Sequence, residues 1–203
     1  HDLIYATATE TTQDPLEQAP AKVQLKFSHL LSLIKFTFIS GFGNDVTVTV
    51  KNLNVSGMIS QGDYTGSTDS WTLGSATAAF TEMASETAVN QTAGPTNASS
   101  VDFAVLPQTI AAQGAGGTVV TVSFDVTVQD NLGQYIVGSD AAGVSVSATL
   151  PAYTWLAGNR YNYNVTIAGE NVDLFPIEFG TPDVTPITDA QFDGSDEVIL
   201  PTN

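Results

Sequence analysis

The chain reads as an all-β protein, a two-sheet antiparallel β-sandwich with Greek-key connections, and three observations predict it. Apolar and polar residues alternate with a period of two through most of the length. No window carries a convincing long 3.6-residue pattern; the best helical candidate, 75–88, is Ala- and Thr-rich and weakly patterned. Polarity comes from hydroxyls and amides more than from charge, with 26 Thr and 16 Ser against a charged fraction of 13%. That fraction is about half the usual share, and β-branched Thr suits the solvent face of a strand.

The strands follow in order. Val23, Leu25 and Phe27 alternate with Lys22, Gln24, Lys26 and Ser28. Ile34, Phe36 and Phe38 alternate with Lys35 and Thr37, one residue out of phase with the first run. A bulge or a short helical turn in Leu30-Leu31-Ser32-Leu33 would produce that shift. Val46, Val48 and Val50 form one run, and Leu53 with Val55 a second. Val101, Phe103 and Val105 make another face, stopped by Pro107. Val120 to Val128 is the longest regular strand, followed by the turn residues Asp130-Asn131-Leu132-Gly133. Val144, Val146, Ala148 and Leu150 come next, then Tyr161, Tyr163, Val165 and Ile167. Phe175, Ile177 and Phe179 alternate across Pro176 and Glu178, and Pro176 argues for an edge position. Residues 86–100 and 111–118 read as loops, giving about eight to ten strands in all.

Composition restricts function. Hydrophobic residues make up 42% of 203, enough for a substantial core. The formal charge of −16 makes nucleic acid and an anionic membrane surface poor partners. Residues 170–203 carry eight acids and no Lys or Arg, which reads as a solvated tail or an assembly segment. With no cysteine there are no disulfides, thiolate metal sites or Cys nucleophiles. No stretch of 18 apolar residues is present. No signal peptide is recognisable, and the start at His1-Asp2-Leu3-Ile4-Tyr5 reads as a cut within a longer protein.

No motif carries chemistry. His1 is terminal, and His29 after a strand reads as a structural or surface residue rather than a ligand. Asp130-Asn131-Leu132-Gly133 resembles the start of a Ca²⁺ loop, but the later acidic ligands are missing. There is no G-x-S-x-G, and Gly114-Ala115-Gly116-Gly117 lacks the third spaced glycine of a dinucleotide fingerprint. The expectation is no enzyme, no cofactor and no metal. Trp71, Trp155 and the six Tyr could stack on sugars, although core or rim packing is the commoner fate of such side chains.

Several segments together resemble one family. These are Asp2-Leu3-Ile4-Tyr5-Ala6; Val23-x-Leu25-x-Phe27-x-His29 with Leu30-Leu31-Ser32-x-Ile34-x-Phe36; Phe103-x-Val105-Leu106-Pro107-Gln108-Thr109; and Trp155-x-Ala157-Gly158-Asn159-Arg160-Tyr161-x-Tyr163-x-Val165-Thr166-Ile167. In this order they are similar to the C-terminal domain of fimbrillin-like (type V pilin) proteins of Gram-negative anaerobes. The resemblance implies an exported lipoprotein precursor with two transthyretin-like sandwich domains, anchored to the membrane only through a lipid on the absent N-terminus. It also implies proteolytic removal of an N-terminal strand, polymerisation with other pilin subunits by donor-strand exchange, and adhesion at the cell surface. On it, 1–180 is the sandwich domain and 181–203 an acidic tail or assembly segment. Strand addition needs a segment whose alternate side chains fill groove pockets. Phe175, Ile177 and Phe179 have that pattern, and Val198 with Leu200 a shorter one. The competing expectation is a surface lipoprotein that binds glycans.

Overall fold

The computed structural model describes residues 3–7, 25–89, 100, 102–140, 142–169 and 177–187. Alternate side chains of an extended chain project to opposite faces, so a period-two apolar set can be buried on one side only. Two main sheets do this. The first contains β3 (Ser32–Ser40), β9 (Phe103–Val105), β15 (Asn159–Ile167) and β16 (Asp183–Pro186), in the order β16–β15–β3–β9. The second pairs β4 (Val46–Ile59) with β11 (Thr121–Asp130) at its centre. Beyond β4 lie β7 (Thr77–Glu82) and β8 (Thr87–Val89); beyond β11 lie β12 (Tyr135–Val137) and β13 (Val144–Thr149).

The inner faces of the two sheets share one core. Ile34, Phe36 and Phe38 of β3 and Tyr161, Tyr163, Val165 and Ile167 of β15 meet Val122, Phe124, Val126 and Val128 of β11. The Phe38 and Phe124 rings cross the interface edge to face at 4.9 Å, and Phe80 stacks on Phe103 at 4.0 Å. Each fully buried aromatic or branched side chain contributes about 1.5–3 kcal/mol.

Three two-stranded ribbons surround the sandwich. They pair β1 (Ile4–Thr7) with β2 (Lys26–His29), β5 (Gly62–Thr65) with β6 (Ser70–Leu73), and β10 (Gln108–Ile110) with β14 (Tyr153–Trp155).

β4 accounts for the two apolar runs read from its sequence. Val48 and Val50, then Leu53 and Val55, then Met58 are buried, so the phase slips by one residue twice. The slips fall where the pairing register breaks, at Asn52 against β11 and at Gly57 against β7. Asn52 and Gly57 have φ of 54° and 91°, which is how a bulge returns the strand to its inward phase. At Gly57 any Cβ would collide with the Val119 carbonyl oxygen.

Several expectations need correction. Every described ladder is antiparallel except β3 with β15, which is parallel. The chain between these strands builds the whole second sheet, so it returns to the first from the same end. Sixteen strands are described, not eight to ten. The helical candidate at 75–88 holds β7 and part of β8. Leu25 and Phe27 are not core residues; each is 49% exposed, Phe27 on the β1–β2 ribbon and Leu25 just before it. The phase shift near Leu30 is neither bulge nor helical turn, but the boundary where the chain leaves that ribbon and enters β3. Val101 and Val23 lie outside the described residues.

Candidate functional site

Two surface features could carry function. The first is a cleft of about 600 Å³ where the end of β2, the β5–β6 hairpin and the loop after β14 converge. Tyr64 and Trp71 face each other across the hairpin, directly paired in its register, with ring centroids 5.4 Å apart at 54°. Tyr5 of β1 packs edge-on against Tyr64 at 5.3 Å. The Trp71 Nε1–H donates to the Leu30 carbonyl oxygen at 3.0 Å, which ties the hairpin to the sandwich and fixes the indole. The Tyr64 hydroxyl donates to Asp69 Oδ1 at 2.7 Å. That bond to a carboxylate, which favours the protonated phenol, pushes the Tyr64 pKa up to about 12. Asp69 closes the turn with φ of 48°. Ser28, His29 and Leu156 are among the other residues that line it.

The second feature is a sheet edge left unpaired among the described residues. β16 pairs with Asn159–Asn162 of β15 and extends no further. Among the described residues, no strand pairs with the rest of β15, 163–167, on that side. Tyr163, Val165 and Ile167 point into the core, while Asn164 and Thr166 are exposed. The Ile167 carbonyl accepts from Gly41 on the β3 side. By alternation, the backbone groups of Asn164 and Thr166 face outward.

The candidate assembly residues divide. Ile177 and Phe179 are buried in this domain's own core, with the Phe179 ring edge-on to Phe36 at 6.0 Å and to Tyr163 at 6.4 Å. They are not part of a described strand. Phe175, Val198 and Leu200 lie outside the described residues.

Trp155 is no sugar platform. It is fully buried, and its Nε1–H donates to the Tyr163 hydroxyl at 3.0 Å. Asp130 is a turn cap, its Oδ1 accepting from the Leu132 and Gln134 amides at 2.9 and 2.8 Å. Among the described residues no three metal-ligating side chains converge.

Sequence reasoning missed Gln108 and Asp69. The buried Gln108 amide accepts from the Ile59 N–H at 2.9 Å and donates to the Ile59 carbonyl at 3.2 Å, pairing with the last residue of β4 as a backbone neighbour would. Nothing in the sequence signals that pairing. Asp69 could have been found: two short alternating segments around Gly66-Ser67-Thr68-Asp69 read as a hairpin.

These features define an all-β sandwich protein. Residues 1–178 match the model of the fimbrillin-like family, and the chain belongs to that family. Among solved structures, it is similar to a fimbrial protein from Bacteroides vulgatus, with a TM-score of 0.51 and 17% identity over 82% of this chain and 57% of that one. It is also similar to a candidate cell adhesion protein from Bacteroides ovatus, with a TM-score of 0.44 and 15% identity over 81% of this chain and 48% of that one. The chain thus spans about half the length of these structures. Comparison with curated proteins gives no match.

Proposed function

We propose that the chain is a structural and adhesive subunit of a cell-surface fimbria, and that subunits join by β-strand addition. The observation that carries this is the open edge of β15 beyond β16. An extended segment laid along it would satisfy the outward backbone groups of Asn164 and Thr166. The partners are other fimbrial subunits, and the larger precursor, of which 1–180 is one domain, reaches the outer membrane through a lipid anchor.

Within the candidate segment, Ile177 and Phe179 would have to leave the core to be donated. β16 already pairs within the sandwich. The donor role therefore falls best on 188–203, where Val198 and Leu200 alternate. Deleting 188–203 in the producing organism tests this: fimbriae should be lost while the secreted subunit stays folded, and unchanged fimbriae would overturn the proposal.

A second, competing reading, a surface module that binds glycans, is favoured by the Tyr64–Trp71 cleft.

A further inference from the structure

We infer that the cleft between the β5–β6 hairpin and the loop after β14 holds a neutral pyranose ring, stacked on Tyr64 and Trp71 and oriented by Asp69. The inference rests on the glycan-binding reading and is independent of how subunits assemble.

Shape comes first. About 600 Å³ lies within the range of about 300–1,000 Å³ occupied by small-molecule sites. Its aromatic side is pre-organised. The indole is held by its Nε1–H bond to the Leu30 carbonyl, so the group that remains to a ligand is its π-face. Tyr5 packs edge-on against Tyr64 and helps to hold its ring in place. Neither ring needs to be ordered when a ligand arrives, which removes a cost of binding.

Polar groups come second. Asp69 Oδ1 accepts from Tyr64, and among the described residues its Oδ2 accepts no hydrogen bond. A carboxylate oxygen beside an aromatic platform suits a sugar, whose ring offers an apolar C–H face and hydroxyl donors at its rim. The Tyr64 oxygen has lone pairs left to accept a hydroxyl, and Ser28, which can donate or accept, also lines the cleft.

Charge selects within that class. No Lys or Arg lines the cleft, Asp69 does, and the chain carries −16. Sialylated or sulfated sugars are therefore disfavoured against neutral ones. A cationic ligand fits the charge but not the ring geometry. A cation cage spaces its rings around the ion, whereas Tyr64 and Trp71 pack against each other with centroids 5.4 Å apart.

The test uses the full chain on an array of mammalian glycans and bacterial polysaccharides, neutral and sialylated, with choline as competitor. Neutral hexopyranose-terminated glycans should bind. The array arm that responds identifies host or bacterial origin. Tyr64→Ala and Asp69→Asn should each weaken binding about tenfold, whereas Leu132→Ser on the distant β11–β12 turn should not. Melting temperatures verify that the variants stay folded, and Asp69→Asn, isosteric and exposed, serves if Tyr64→Ala does not. No binding to any glycan would overturn both this site and the glycan-binding reading. Binding that survives both variants would overturn the site and leave the reading intact. Displacement by millimolar choline would make it a cation site and overturn the inference.

Discussion

The Trp155 indole N–H donates to the Tyr163 hydroxyl at 3.0 Å inside the core, joining the short strand β14 to the central strand β15. A buried donor that loses its acceptor costs about 1–3 kcal/mol. Tyr163→Phe keeps the ring and orphans the indole, so it should lower the free energy of unfolding by that amount. A urea titration followed by Trp fluorescence measures it, and an unchanged midpoint would show the bond to be dispensable.

The same hydroxyl makes stability fall in alkali. Burial pushes the Tyr163 pKa upward, outweighing the Trp155 hydrogen bond, and burial acts in the same direction on Tyr161. A phenol with a raised folded pKa holds its proton more tightly folded than unfolded. Stability is then full below about pH 10, the unfolded value, and declines as pH rises from there toward the folded value. Tyr163→Phe should flatten that decline relative to wild type when melting temperatures are compared from neutral to strongly alkaline pH. Parallel curves would contradict the assignment.

Gly57 forms the second bulge of β4, at φ of 91° and against the Val119 carbonyl. Gly57→Ala should destabilise by about 1–3 kcal/mol, because the left-handed backbone and the collision both oppose a Cβ. Gly43, with nothing within 4 Å of an added Cβ, should tolerate the same change within about 0.5 kcal/mol. Thermal unfolding of the pair separates a bulge requirement from a general effect of glycine replacement.

Gln108→Leu preserves bulk but leaves the Ile59 N–H and carbonyl without the side-chain amide that pairs with them. A loss of about 1–3 kcal/mol is expected. Amide hydrogen exchange should also quicken at Ile59, and unchanged protection there would refute the pairing.

How far the sequence disclosed this architecture depended on what covers each strand. β11 was legible because Val122, Phe124, Val126 and Val128 all face the core in unbroken alternation. β4 appeared as separate runs because two bulges each add one residue. β7 and β8 were obscured because Ala and Thr at a sheet margin give no apolar period. β16 was invisible because all four residues are exposed and Pro182 precedes it while Pro186 ends it. Leu25 and Phe27 misled in the opposite direction, since alternation marks a strand but does not say what packs on it. The cleft is assembled from residues as far apart as Ser28 and Gly158, and only tertiary contact brings them together.

The central claim, strand addition on the open edge of β15, can be measured directly because the chain contains no cysteine. Thr166→Cys on that edge would be paired with single cysteines placed in turn through 196–202. Side chains opposite one another on adjacent strands are about 4.5–5.5 Å apart at Cβ, close to disulfide reach. The account predicts a ladder of disulfide-linked subunits on a non-reducing gel of purified fimbriae, at alternate positions and only when both cysteines are present. Fimbriae that assemble from every variant with no linked species would contradict it.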